Sequence, residues 1–143
     1  MVKIDDNWYQ VDSTNNGKTS GIPYFLYEAS SEIADKTSFK LDELFELDKD
    51  LEQFASKDDR YEYYTKNKMS VKSMAEYKVL LEKELDNNFD KFIVRYSGTD
   101  FNEEELINTV REVVNKKGLE SKLQNAGYIY KNGFLVLSME NTK

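Results

Sequence analysis

The sequence predicts an α+β fold in which strands and helices are grouped along the chain. Aromatic residues make up 13% of the chain, and most are Tyr or Phe, which favour pleated sheet surfaces over a purely helical core. Two segments of the second half repeat apolar residues at helical spacing behind capping residues, so helices accompany the strands. That half reads helix, strand, helix, short helix, strand, strand, which predicts a small α-β-α-β-β module.

The chain opens with a predicted β-hairpin. Residues 2–4 and 8–11 are β-prone runs, and three turn-forming residues, Asp5, Asp6 and Asn7, separate them. A polar connection of this length brings two successive strands side by side in an antiparallel pair.

A loop, a strand and a short helical turn are predicted next. Residues 13–21 contain two Gly and no apolar residue, which predicts an exposed loop of the kind that often borders a site, and Pro23 closes it. Residues 24–27 resume as an aromatic strand. The polar residues 30–32 then provide a cap for a short helical turn.

The middle of the chain gives a mixed signal. Between residues 35 and 66, Leu and Phe are spaced for short helical turns as well as for irregular packing, except that residues 60–64 alternate and are aromatic, which predicts a strand. Tyr61, Tyr63 and Tyr64 could instead line a face that binds carbohydrate or peptide. The alternation favours strand packing over that alternative.

The second half begins with a helix and a strand. Ser73 and Glu76 have the spacing of a capping box, and apolar residues recur at helical spacing as far as residue 86. Residues 92–96 are aromatic or β-branched except for Arg95, which predicts a strand, and turn residues 97–100 follow them.

A second helix follows a turn. Asn102 and Glu105 have the spacing of another N-terminal cap, and Gly118 stands where a helix of this length ends. The cluster of Glu residues at its start is explained by the helix dipole. Residues 119–124 then suggest a short helix.

The strongest short-range signal predicts a second hairpin. Asn132 and Gly133 separate residues 128–131 from residues 134–137, and an Asn-Gly pair is the preferred loop of a two-residue hairpin. Alternation places Leu135 and Leu137 opposite to Phe134 and Val136. The expected core of this half consists of Phe92, Val94, Tyr96, Val110, Val113, Val114, Tyr128, Tyr130, Leu135 and Leu137.

Charge and hydropathy exclude two classes of partner. The net charge of −7 opposes an electrostatic grip on nucleic acid or on an anionic membrane surface. No apolar run approaches the roughly 20 residues that cross a bilayer, so no membrane insertion is expected. Acidic residues outnumber basic ones only before Asn67, which indicates two parts, residues 1–66 and residues 67–143.

Cysteine and histidine are both absent. The chain therefore has no thiol nucleophile, no disulfide, no imidazole base and no usual zinc site. Ser-Lys or carboxylate-pair chemistry stays formally open, but no spacing singles out such a pair. Neither a cofactor nor a metal is expected.

One acidic run deserves comparison with a calcium loop. Residues 48–52 place carboxylates at alternate positions, as such a loop does at its start. However, Gln53 stands where the sharp turn needs Gly, and Asp59 stands where a bidentate Glu is needed. The run is interpreted as solvated acidic surface.

The longest motif lies at the start of the chain. Residues 2–14 read VKIDDNWYQVDST, and residues 22–26 read IPYFL. This resembles the stretch just after the catalytic His in bacterial transglutaminase-like (papain-related) proteins. There a β-hairpin reads roughly V-x-I-x-G-x-W-Y-x-V-D-x-T, and a loop and Y-x-Y-F-L follow. The resemblance is best over residues 2–28 and extends loosely to residue 64.

The resemblance implies roles for four residues. In that family a Cys attacks the substrate carbonyl, a His is its base and an Asp orients the His; Asp12 matches that Asp. A carboxylate at a strand end can fix one imidazole nitrogen, as this role requires. Trp8 and Tyr9 would pack around Asp12, and Thr14 matches the Thr of the motif. Asn15 departs from the Trp that the family often has there.

A purely structural interpretation is the alternative. In it Asp12 is a turn residue at a strand end, and Trp8 and Tyr9 are ordinary core residues. The family's Cys and His would lie upstream of Met1. The resemblance therefore implies the C-terminal portion of a transglutaminase-like core, residues 1–66, either excised from its parent or left after loss of the catalytic half, followed by a small α+β module, residues 67–143.

Two functions follow as expectations. The chain itself is catalytically incompetent, and its parent would perform thiol-dependent acyl transfer or peptide hydrolysis on a protein or peptide substrate. The resemblance implies an extracellular or cell-surface location in a bacterium for that parent. The alternative is a non-catalytic binding or assembly module of a bacterial surface protein, in which the hairpin motif is a structural relic.

Overall fold

The computed structural model describes residues 2–11, 22–24, 26–35, 54–87 and 89–139. These residues form a mixed α+β structure with four α-helices and two sheets, so the predicted α+β class is confirmed. The chain divides into two compact units, Met1–Lys68 and Met69–Lys143. The predicted boundary, after residue 66, lies two residues before this division.

The first unit contains a three-stranded antiparallel sheet. Strands β1 (Val2–Ile4), β2 (Asn7–Val11) and β3 (Tyr27–Ala29) lie in the order β1-β2-β3. Asp5 and Asp6 join β1 to β2 with φ of 48° and 65°, the left-handed conformation that a two-residue hairpin loop needs. The predicted first hairpin is confirmed.

The prediction of a strand at residues 24–27 is wrong except at its end. Tyr24 lies in a turn with φ of 57°, and β3 begins only at Tyr27. Helix α1 (Ser31–Asp35) follows directly, and the Ser30 hydroxyl accepts a hydrogen bond from the Ile33 amide at 3.3 Å. The helical turn and its serine cap are therefore confirmed. The predicted loop at residues 13–21 lies outside the described residues.

The prediction of a strand at residues 60–64 is also wrong. Helix α2 (Tyr63–Lys66) occupies its second half, and Glu62 is the N-cap. The Glu62 side chain is completely buried and accepts hydrogen bonds from the amides of Tyr64 at 3.0 Å and Thr65 at 2.8 Å. A carboxylate that satisfies two free amides of a helix start stabilises the turn, and this overrides the alternating pattern.

The second unit contains a four-stranded sheet in the order β4-β5-β7-β6. Its strands are β4 (Ser70–Val71), β5 (Lys91–Tyr96), β6 (Gly127–Lys131) and β7 (Phe134–Ser138). Strand β4 runs parallel to β5, and the other pairs are antiparallel. The predicted strand at residues 92–96 and the second hairpin are confirmed, whereas β4 was not predicted.

The two long helices begin at their predicted caps. In α3 (Met74–Glu84) the Ser73 hydroxyl accepts from the Glu76 amide at 3.3 Å, and in α4 (Glu103–Lys116) Asn102 accepts from the Glu105 amide at 3.0 Å. In a capping box the Glu76 carboxylate would accept a hydrogen bond from the amide of the N-cap residue, Ser73. Here it accepts from the amide of the preceding residue, Lys72.

Both long helices end close to the predicted places. A 3₁₀ helix, Leu85–Asn87, continues α3, and a second one, Glu120–Leu123, follows α4. Gly118 separates the latter pair with φ of 67°, the left-handed conformation that Gly adopts at the ends of helices.

Helices α3 and α4 run in the same direction. Lys78 on α3 pairs with Glu112 on α4, and four residues further along each helix Glu82 pairs with Lys116 at 3.0 Å. Exposed pairs of this kind contribute little stability, about 0 to 1 kcal/mol each. They mark which faces of the two helices meet.

The core of the second unit lies between these helices and one face of the sheet. Leu135 and Leu137 belong to it and Phe134 and Val136 do not, as strict alternation requires. Of the predicted core residues Tyr128 is only partly buried against it and Tyr130 lies outside it. The buried members are Val71, Met74, Tyr77, Leu81, Leu85, Phe92, Val94, Tyr96, Leu106, Val110, Val113, Val114, Leu135, Leu137 and Met139.

Candidate functional site

The candidate site is the end of strand β2. Two of the four residues singled out in the sequence, Trp8 and Tyr9, lie on this strand. The other two, Asp12 and Thr14, lie outside the described residues. Strand β2 ends at Val11, so Asp12 is the next residue of the chain.

A β-bulge interrupts the sheet at this strand end. Gln10 is opposite Ala29 and Val11 is opposite Tyr27, which leaves Glu28 as the extra residue of β3. Glu28 has φ of 55°, a conformation that is uncommon for a residue other than Gly. Bulges often lie next to sites, because the bend re-aims the neighbouring side chains.

Tyr9 is the buried aromatic residue of strand β2. Its side chain is completely buried, and its ring lies edge-on to that of Tyr61 with 5.5 Å between centroids. The Tyr9 hydroxyl has no hydrogen-bond partner among the described residues. The Tyr61 hydroxyl donates to the carboxylate of Asp5, and this hydrogen bond raises the pKa of Tyr61 above its ordinary value.

Trp8 is half-buried, and its backbone joins β2 to a distant segment. The Ser56 amide donates to the Trp8 carbonyl at 2.7 Å, and Trp8 forms a parallel bridge with Ala55. The Ser56 carbonyl accepts from the Ser31 amide at 2.9 Å, so this segment also contacts the start of α1. These backbone hydrogen bonds connect β2, through Ala55 and Ser56, to the first residue of α1.

An ion pair that the sequence analysis did not single out lies beside Tyr61. The Arg60 amide donates to the Asp58 carboxylate at 3.0 Å, and this bond lowers the pKa of Asp58, helped by the Arg60 side chain. The Arg60 guanidinium lies 5.7 Å from the centroid of the Tyr61 ring, within the range of a cation-π interaction. In the sequence, only the Asp-x-Arg spacing of Asp58 and Arg60 indicated this ion pair.

Four tyrosines form a second feature of the first unit, which we call the tyrosine cluster: Tyr24, Tyr27, Tyr63 and Tyr64. The rings of Tyr24 and Tyr63 are stacked with 4.1 Å between centroids, and Tyr27 lies edge-on to Tyr24 at 5.9 Å. Tyr64 is buried, and its hydroxyl donates to the Pro23 carbonyl at 2.6 Å. The Tyr27 side chain is 40% exposed. The cluster is therefore buried at Tyr64 and open to solvent at Tyr27.

The arrangement has definite chemical limits. Within the residues that the structure describes, no three acidic side chains are grouped closely enough to hold a metal ion. No helix in that part of the chain is long and apolar enough to cross a membrane. A strand-end carboxylate can orient a base, and partly exposed tyrosines can stack on a ligand.

Comparison with protein-family models, with curated proteins and with solved structures gives no match for this chain. The resemblance noted in the sequence therefore rests on the motif of residues 2–28 and its loose continuation to residue 64.

Proposed function

We propose that residues 1–66 are the distal sheet portion of a transglutaminase-like core, in which Asp12 orients the imidazole of the active-site His. One observation carries the proposal: the W-Y-x-V motif lies on β2 of an antiparallel sheet, and β2 ends one residue before Asp12, beside the bulge at Glu28. A productive imidazole needs one nitrogen held by a fixed acceptor, and the residue after a strand end is a suitable place for one.

The chain alone performs no thiol chemistry under this proposal. The nucleophile that attacks the carbonyl and the base that takes its proton are a Cys and a His, and the sequence has neither. Another polypeptide segment has to supply both. Asp12, with Trp8 and Tyr9 packed on the same hairpin, then contributes orientation alone. The substrate would be a Gln side chain or a peptide bond of a protein, which the complete enzyme binds.

The test uses the whole gene product with whatever sequence is encoded upstream of Met1. We expect that sequence to contain a Cys and a His, and the product to incorporate a fluorescent amine into a Gln-containing protein. Asp12→Asn should lower kcat about 10³- to 10⁴-fold, because the imidazole loses its fixed acceptor and tautomer.

Asp6→Asn is the matched control, because the Asp6 carboxylate is 95% exposed in the hairpin turn. It should leave kcat unchanged. The 143-residue chain alone should show no turnover. A gene product without an upstream Cys and His, or an Asp12→Asn enzyme as fast as the Asp6→Asn enzyme, would contradict the proposal.

The second candidate function is a non-catalytic binding or assembly module, and the tyrosine cluster is the observation that favours it. Rings that are already stacked lose little conformational entropy when a ligand covers them, and tyrosine combines an apolar face with a hydroxyl. The stacked pair of Tyr24 and Tyr63, with Tyr27 exposed beside it, suits the apolar face of a sugar ring.

We expect soluble oligomers of N-acetylglucosamine to shift the NMR signals of this cluster, and Tyr27→Ala to weaken binding about two- to tenfold. Tyr130→Ala is the control, because Tyr130 is exposed to nearly the same extent, 38% against 40%, in the second unit. Equal effects of the two variants, or no shift in the wild-type chain, would remove this candidate.

A further inference from the structure

Strand β6 lies at an open edge of the four-stranded sheet. It pairs with β7 on one side through five consecutive residue pairs, and no other strand of the described residues pairs with its second side. The pairing has no bulge, and β6 contains no Pro. The edge therefore lacks most of the features that keep such strands from pairing with another chain, and Lys131 at its end is the only charged residue on it.

The hairpin loop determines which backbone groups face this open edge. A two-residue loop, Asn132-Gly133, makes Lys131 and Phe134 a hydrogen-bonded pair. Bonding alternates along an antiparallel pair, so Ile129 also bonds to β7. The amide and carbonyl groups of Tyr128 and Tyr130 consequently point away from β7, towards the open edge.

The outward-facing segment reads the same in both directions. Tyr128, Ile129 and Tyr130 form a palindrome. A second copy placed antiparallel, with a two-fold axis at Ile129, brings Tyr128 of each copy opposite Tyr130 of the other. Both residues have free amide and carbonyl groups facing the edge, so this register pairs every outward group and satisfies the self-complementarity of a two-fold interface.

Side chains and charge fit the same register. Ile129 is 61% exposed, and in this register it faces the Ile129 of the second copy across the axis. Lys131 lies opposite Gly127, so no like charges face each other. The Tyr130 ring is stacked on Phe101 with 3.9 Å between centroids, which holds the strand in place before any partner arrives.

We propose that β6 is a self-association edge, on which a second copy of this chain adds its own β6 in antiparallel register about Ile129. The product is a two-fold dimer with one continuous sheet across both chains. The contact is small, so the dimer is weak and depends on concentration. The inference is independent of the proposed catalytic ancestry, since it concerns the second unit alone.

The first test places like charges on the axis. Sedimentation of the complete chain should show a monomer-dimer equilibrium, and Ile129→Lys should raise its dissociation constant about tenfold or more. Val79→Lys is the matched control, because Val79 is 69% exposed on helix α3 and should leave the equilibrium unchanged. Circular dichroism spectra of both variants should match the wild type.

The second test uses the absence of cysteine. Residues that face each other on a two-fold axis in a non-hydrogen-bonded pair have Cα atoms about 4.5 Å apart, which a disulfide can span. Ile129→Cys should therefore oxidise to a covalent dimer much faster than Lys131→Cys or Val79→Cys. A chain that stays monomeric at about 1 mM overturns the proposal. A dimer that Ile129→Lys leaves intact, or equal crosslinking of the three cysteines, overturns it as well.

Discussion

Replacement of Leu81 by Ala should lower the free energy of unfolding of the second unit by about 2 to 5 kcal/mol. Leu81 lies on α3, is completely buried and belongs to the core between the two long helices and the sheet. The shorter side chain leaves a cavity that the surrounding side chains fill only in part, so both transfer free energy and contacts are lost.

The measurement is urea unfolding followed by circular dichroism at the helix band, since α3 and α4 are the two longest helices of the described residues. Val79→Ala is the matched control on the same helix, because Val79 is 69% exposed. It should change the free energy by less than about 0.5 kcal/mol. Equal effects of the two substitutions would mean that α3 does not pack on the sheet through the face that contains Leu81.

Replacement of Gly98 by Ala should destabilise the second unit by about 1 to 3 kcal/mol, the second largest effect on stability that we expect. A Cβ at this position would lie 2.4 Å from the Lys72 carbonyl oxygen and 2.8 Å from a ring carbon of Tyr96. The first of these is a backbone atom, and it belongs to the residue directly after β4.

The substitution therefore acts on the contact between β4 and β5. The Ser97 amide donates to the Val71 carbonyl at 2.9 Å, one residue before Gly98, so the two segments are held closely together there. Hydrogen exchange of the Ser97 amide should accelerate in Gly98→Ala more than exchange at the centre of β5.

Gly127→Ala is the control, because a Cβ at Gly127 meets no atom within 4 Å and Gly127 has no positive φ. It should leave stability within about 0.5 kcal/mol of the wild type. If Gly98→Ala is equally silent, the close approach at Lys72 is relieved at no cost, and the explanation of this Gly is wrong.

The candidate site was only partly accessible to sequence reasoning. The motif indicated that Trp8 and Tyr9 share a strand, because the turn residues and the strand residues are neighbours in the chain. It gave no sign that Tyr9 packs on Tyr61, or that a bulge forms at Glu28 beside the strand end. Both depend on residues that are distant in sequence, and a register shift depends on how two strands meet.

The sequence by itself determined the features that a few adjacent residues decide. The two hairpins follow from turn residues that accept positive φ at Asp5, Asp6, Asn132 and Gly133. The starts of the two long helices follow from capping side chains three residues away from the amides that they satisfy. Alternation then decided which faces of β7 meet the core.

Only the tertiary structure decided the features in which local and distant interactions compete. Residues 60–64 alternate like a strand, yet buried Glu62 satisfies the first amides of α2, and a helical turn results. Strand β4 has two residues and no pattern of its own, and it exists because β5 provides a parallel partner. Pairing energy and burial come from groups far along the chain, so the sequence near these residues does not contain the information that selects their conformation.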